Sequence, residues 1–553
     1  MLGVTLASVF LFATMSSSEP MAPVSIAVGC NADPAARSAE LVTAIQDAVN
    51  AGGSQLVTLS SGCVYTLTQV NNGVLTRTNG LPVISHSIDL TIQGNGATLS
   101  RDSSAPQFRF FEVEQGGRLT LQNMAITGGH AGDNTNASGN TAGGDGGAIL
   151  NRGVLSGSFV TFTNNIAGAG GLCASNLDGA GGRGGAIASF AQTNLSNSAL
   201  EGNRSGNYVD ISKQAAYFLR ARGGAIFSQE SLSLDGVSAK ANPIGELIIA
   251  HSPPDGTCVV ASPLPYDDIA SPTHFAAIHH SGSITITNSS FRDEQDVAIA
   301  EEYPPSEYEF VVKDGLFYNN GRGIYLIEQG SYATSTHRLE SSAFVSNEVG
   351  IDIRSNYDEL GFKIVNSTFA KNDYGVVGQG KATGDMPRGA VLMAQVNSST
   401  FYLNRCSIAA GYAHETSAAH VIVKNSVMTN NMDTHDCERP TWHQTTWLPV
   451  IDAGYNIADH FPWKFGNSEI TTTTSLSNTN PMLDVQGAKD NGGKTPTVAL
   501  LPGSPAINFI PANACADVTA DQRGVARPQG GRCDAGAYES LSYPRVFMPL
   551  LAR

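Results

Sequence analysis

Between Asn288 and Asn431 the chain repeats one short alternation of apolar and polar positions. A large apolar residue recurs at Phe291, Phe317, Phe344, Phe369, Phe401 and Met428, in steps of 26, 27, 25, 32 and 27. Three residues before each stands Asn288, Asp314, Ser341, Asn366, Ser398 or Asn425; three after stands Glu294, Asn320, Asn347, Asn372, Asn404 or Asn431. Six residues after, a short apolar strand begins in most repeats, as in Gly350-Ile351-Asp352-Ile353-Arg354. A period near 26 with alternation inside it predicts an all-β parallel β-helix, a solenoid whose coils stack about 4.8 Å apart. Stacking brings like residues together. The Phe column should fill the interior, and an Asn column can form an amide ladder at a bend, where Asn also tolerates the left-handed conformation. A leucine-rich repeat is disfavoured, since no L-x-x-L-x-L series recurs.

Upstream the repeat is longer. Gly-Gly-Ala-Ile recurs at 146–149, 184–187 and 223–226, 38 and 39 residues apart, which predicts coils carrying inserted loops such as Gly128–Gly144 and Gly168–Arg183. Before them, Pro34 to Asn50 has helical spacing with Leu41, Ile45, Ala48 and Val49 on one face, ended by Ala51-Gly52-Gly53. Strands should follow on either side of Cys63. The expected organisation is an export segment over 1–25, an N-terminal cap over 26–85, the β-helix over 86–460, a C-terminal cap over 461–540 and an apolar tail over 541–553. The apolar run Leu2–Ala13 is too short to span a bilayer and is read as the core of a signal peptide, although no Lys or Arg precedes Arg37.

Composition narrows the function classes. Charged residues are 14% of the chain and Gly numbers 59, which suits strands and tight turns. A net charge of −16 argues against nucleic acid as a partner, and against a polyanionic glycan unless a local basic patch offsets the field. The eight cysteines, Cys30, Cys63, Cys173, Cys258, Cys406, Cys437, Cys515 and Cys533, contain no C-x-x-C pair. They are read as disulfide formers. Sequential pairing is the simplest of many connectivities, and would staple the two ends through Cys30–Cys63 and Cys515–Cys533.

Three stretches carry a resemblance: Gly454-Tyr455-Asn456-Ile457, Asp490 to Ile507 (DNGGKTPTVALLPGSPAI), and Asp521-Gln522-Arg523-Gly524 through Arg527-Pro528 to Arg532-Cys533-Asp534-Ala535-Gly536-Ala537-Tyr538-Glu539. Over roughly the last hundred residues the chain resembles the choice-of-anchor Q domain of bacterial exported β-helix proteins. The Gly-Gly-Ala-Ile segments resemble polymorphic outer-membrane-protein repeats. The resemblance implies a right-handed, pectin-lyase-like β-helix, secreted or at the cell surface. It implies no shared catalytic set, and the tail Arg545–Arg553 lacks an LPxTG-type signal.

The repeat also sorts strand residues. Positions seven and nine after the Phe column (Ala298 and Ala300, Ile324 and Leu326, Ile351 and Ile353, Val376 and Gly378) are small or apolar and should point inward. Glu301, Tyr325, Asp352, Arg354 and Gln379 should then share one exposed sheet face. Asp352, Arg354 and Glu301 are the candidate catalytic residues. A carboxylate pair serves acid–base hydrolysis, and an Arg beside a carboxylate serves a lyase. The plainer reading of Asp352 and Arg354 is a solvated ion pair. Tyr325 and Gln379 are candidate glycan contacts, as are Trp442 and Trp447 in an aromatic loop. Adjacent His279 and His280 should point to opposite faces, so no metal site is expected. No cofactor is expected beyond a structural calcium ion. G-x-S-x-G, H-E-x-x-H and Walker A motifs are absent. The favoured reading is a monomeric exported rod that adheres to a surface or binds an extracellular polysaccharide. The alternative is a polysaccharide lyase or glycoside hydrolase on the same scaffold.

Overall fold

The computed structural model describes residues 24–134, 142–171, 180–210, 222–244, 247–251, 259–260, 276–302, 308–328, 336–355, 361–380, 391–412, 419–429, 450–459 and 474–541. Asp33 starts helix α1 (Pro34–Ala51) by accepting the Ala35 N–H at 3.0 Å, and Pro34 fits the first turn, where its missing donor is not needed. Leu41, Ile45 and Ala48 are buried as the spacing predicts, while Val49 is only partly covered. Gly52 ends the helix at φ 70°. The buried face packs on strands Val24–Val28, Gly53–Leu59 and Val64–Leu67, covering the first rungs of the solenoid. Stacking therefore starts well before residue 86.

The strands form three parallel stacks, one per face of a β-helix. The first face runs from Val24–Val28 through Ile284–Thr287, Glu309–Lys313, Thr336–Glu340, Phe362–Val365 and Val391–Asn397 to Ile451–Asp452. The second runs from Val64–Leu67 through Ser290–Arg292, Leu316–Tyr318, Ala343–Val345 and Thr368–Ala370 to Ile457–Ala458. The third runs from Phe111–Val113 through Ala276–His280, Val297–Glu302, Arg322–Glu328 and Val349–Ser355 to Cys406–Tyr412.

Each predicted column has its place. Phe291, Phe317, Phe344, Phe369 and Phe401 are fully buried and stack at 4.5–5.0 Å between ring centroids, with Met428 level with Phe401. The column three residues before them is the bend between the first and second faces: Asn288, Asp314, Ser341, Asn366, Ser398 and Asn425 all have φ of 49–56°. The column three residues after is the amide ladder. Asn320 donates to Asn347, Asn347 to Asn372 and Asn372 to Asn404, at 2.9–3.0 Å. It extends upstream through Asn165, Asn203 and Asn242, which donates to Glu294. A serine column went unforeseen. The hydroxyls of Ser289, Ser342, Ser367, Ser399 and Ser426 each accept a backbone N–H from the preceding coil and donate to a carbonyl two residues back.

The Gly-Gly-Ala-Ile repeats now have a cause. Gly146, Gly184 and Gly223 turn with φ of 67–70°. The next glycines stack so closely that a Cβ on Gly147 or Gly185 would lie 2.1 or 2.0 Å from a carbonyl oxygen of the following coil. Disulfides join Cys30 to Cys63 and Cys515 to Cys533, as sequential pairing predicts, and Cys406 is also disulfide-bonded. Cys173, Cys258 and Cys437 lie outside the described residues.

The C-terminal segment, residues 474–541, packs along the flank of the solenoid. Leu483, Val498, Leu500 and Ile510 share a core with Ala370, Tyr402 and Val427, which project outward from the second face. No described helix is long and apolar enough to cross a membrane.

Candidate functional site

The third face does not present the exposed row that counting from the Phe column predicts. Ile299, Ile324, Ile351 and Val376 are level, so the turn after Phe291 is one residue longer than the turns after Phe317 and Phe344. A one-residue slip sends a side chain to the other face. Glu301 is thus level with Leu326 and Ile353 and lies inside the solenoid, 1% exposed. Its Oε2 lies 3.5 Å from His337 Nε2, which is 2.6 Å from the Tyr308 hydroxyl. Burial pushes the Glu301 carboxyl up, against the pull of His337. A carboxyl sealed in the core cannot reach a polysaccharide.

Tyr325, Asp352 and Val377 do point outward on adjacent strands, yet each is at most 2% exposed. Asp352 Oδ2 lies 3.1 Å from Arg322 Nε and 3.1 Å from Arg354 Nη2, and Oδ1 is 3.3 Å from Arg354 Nε. Arg354 also sits over the Tyr325 ring at 5.3 Å. Burial lowers the Arg354 pKa, but Asp352 and Tyr325 together outweigh it and hold the guanidinium above its ordinary value. The expected solvated pair is instead a triad about a fully buried carboxylate, and both Asp352 oxygens are committed to guanidinium groups. Gln379 is level with Arg354 in the backbone, but its side chain lies outside the described residues, as do Trp442 and Trp447. His279 and His280 diverge as expected. His279 stacks on Phe227, and His280 accepts the Gly282 N–H inside the coil, where burial pushes its pKa down to about 4. Among the described residues no group of three His, Cys, Asp or Glu could hold a metal ion.

The open polar concavity lies on the first face. Arg338 is level with Val311 on one side and Lys363 on the other, and Lys363 is level with Gln395. These residues alternate with inward Leu339, Ile364 and Val396 and so project outward. Together with Lys313 and Asn397 they floor a groove of about 740 Å³, walled by Lys494 and Asp517–Gly524 of the C-terminal segment. The wall is fixed at the bend column. Asn366 donates to the Ala520 carbonyl at 2.6 Å, Asn397 to Asp517 at 3.1 Å, and Thr495 to the Ser341 carbonyl at 2.6 Å. Lys494 bonds Asp314 at 3.2 Å and also Asn288.

The motif residues behind the resemblance build this wall. Asp521 pairs with Arg523 at 2.7 Å and accepts the Val525 and Glu539 N–H groups. Buried Arg527 pairs with Glu539 at 3.0 Å, and Gln522 ties Thr495 to Thr368. The groove's carboxylates already have cations: Asp314 has Lys494, Glu340 has Arg338, Asp517 has Lys424 and Asp521 has Arg523. Such a surface can hydrogen-bond a polyhydroxylated chain and balance scattered charge, and the ion pairing of these carboxylates disfavours two-carboxylate hydrolysis among its described residues. The groove floor is itself a column of the repeat: six residues before the Phe column stand Thr285, Val311, Arg338, Lys363, Gln395 and Ile422.

No protein-family model matches the chain, and no curated protein matches it.

Proposed function

We propose that this chain is an exported or cell-surface β-helix that holds an extracellular polysaccharide in the first-face groove without cleaving it. The observation that carries this reading is the groove itself. It is long, open and polar, and it lies between stacked Arg338, Lys363 and Gln395 and the C-terminal wall. Its carboxylates are engaged by cations, which supports binding over hydrolysis. The disulfides at both ends fit an oxidising compartment. The choice-of-anchor Q resemblance supports the same destination.

The test incubates purified protein with neutral and acidic plant, algal and host glycans, with and without calcium. Retention on at least one glycan is expected, with no new reducing ends and no absorbance from unsaturated products. Retention on none, or turnover of any, contradicts the reading.

A further inference from the structure

We infer that Phe159 is a stacking platform for a neutral sugar ring, standing on the half of the solenoid that the C-terminal segment leaves uncovered. The inference rests on the glycan-binding reading and adds a second contact, remote from the groove.

Phe159 occupies the bend between the first and second faces. The register pairs Gln122 with Ser158 and Met124 with Val160 on one side, and Ser158 with Ser196 and Thr161 with Ala199 on the other. Its neighbours in the bend column are therefore Asn123 and Asn197, followed by Gly236 and Asn288. All share the left-handed conformation, with φ of 48°, 45°, 65° and 50°; Phe159 has φ 54°. Asn and Gly accept that region readily, whereas a bulky side chain there is a genuine outlier. The ring stands largely in solvent, since Phe159 is 62% exposed. The interior of its coil is filled by Leu155, Val160 and Phe162. Backbone strain and an exposed ring both work against stability at a position where Asn would serve the fold better. Strained residues of this kind gather where a protein meets a ligand.

The surroundings indicate the ligand. The outward rows on the first-face side of Phe159 are Thr120, Ser156 and Asn194, and Gln122, Ser158 and Ser196; on the second-face side the row is Ala125, Thr161 and Ala199. None is charged, all but the two alanines carry hydrogen-bonding groups, and all are half-buried at the surface. No other exposed large apolar side chain stands in these rows. A flat apolar ring among hydroxyls and amides matches a sugar, which has an apolar ring face and a polar rim. A protein partner would ask for a broader apolar patch, and an anionic chain for cations. Among the described contacts, the C-terminal wall reaches up the bend column only to Asn288, through Lys494.

The test compares wild type, Phe159→Asn, Phe159→Trp and the groove variant Arg338→Ala/Lys363→Ala on insoluble cellulose, chitin and soluble hydroxyethyl cellulose. Wild type and Phe159→Trp should bind at least one of these, and Phe159→Asn about tenfold more weakly. Thermal unfolding should place the Tm of Phe159→Asn at or about 1 °C above wild type, which separates lost contact from lost fold. Phe159→Asn binding like wild type while the groove variant fails would overturn the platform and leave the groove reading standing. Loss in Phe159→Asn alone supports the platform and moves the neutral-glycan site away from the groove. A lowered Tm in Phe159→Asn assigns the ring to packing and overturns the platform. Wild type binding none of these neutral glycans overturns the platform, while the groove reading is then decided by the acidic glycans.

Discussion

Phe317 and Phe344 lie face to face, with ring centroids 4.5 Å apart and planes within 1° of parallel. That separation is close to the spacing of hydrogen-bonded strands, so one side-chain column is locked to the backbone repeat. The ring of Phe344 also fills the space beside Gly323, where a Cβ would lie 2.7 Å from it. Phe344→Ala should therefore cost about 3–5 kcal/mol in urea unfolding, since rigid neighbours on both sides cannot collapse into the gap. A loss below about 1 kcal/mol would mean that the column is not load-sharing.

The amide ladder makes a separate prediction. The Asn347 side chain donates to Asn372 Oδ1 and to the Phe317 carbonyl, and accepts from the Asn320 backbone and side chain. Asn347→Ala strands buried partners in two adjacent coils. It should destabilise by about 2–4 kcal/mol, more than Ser342→Ala in the neighbouring serine column, as read by chemical denaturation.

Glu294 replaces an amide in that ladder and sets a pH dependence. Its carboxyl is 2% exposed and is pushed up to about 7 by burial, against the two hydrogen bonds it accepts from Asn242. A carboxyl raised in the folded state favours folding when protonated. Its contribution is full below the unfolded value near 4.5 and is lost as pH rises through 7. Stability should fall by about 3 kcal/mol from this group between pH 4 and pH 9. In Glu294→Gln that part of the slope should vanish; an unchanged slope would show that other groups set it.

Asp352 is predicted to matter for stability. Removing its charge leaves Arg322 and Arg354 facing each other under cover. Asp352→Asn should cost about 3–5 kcal/mol. Asp352→Asn/Arg354→Met should recover part of that loss in thermal unfolding. Recovery of nothing would indicate that the triad is not the coupled unit its distances of 3.1 Å imply.

Much of this was legible in the chain. The Phe, bend and ladder columns could be read because each obeys a strict spacing to one apolar anchor, and stacking forces like residues together. The reading failed where that spacing slips. One extra residue in the turn after Phe291 put Glu301 inside, and a fixed count cannot register a longer turn. Burial of Asp352 was also out of reach, because alternation distinguishes inside from outside but not outside-exposed from outside-covered. The groove needed a long-range fact. Asp517–Gly524 sits over coils more than a hundred residues away, held by bonds such as Asn366 to Ala520 that no local pattern encodes.

The most direct measurement of the groove is a binding titration of the retained glycan against three proteins: wild type, Arg338→Ala/Lys363→Ala and Tyr325→Phe. The account predicts that the first-face double variant loses about tenfold or more in affinity, and that the conservative change at buried Tyr325 on the third face leaves it unaltered. Affinity lost through Tyr325→Phe and kept by the double variant would contradict it, and would place the glycan on the third face instead.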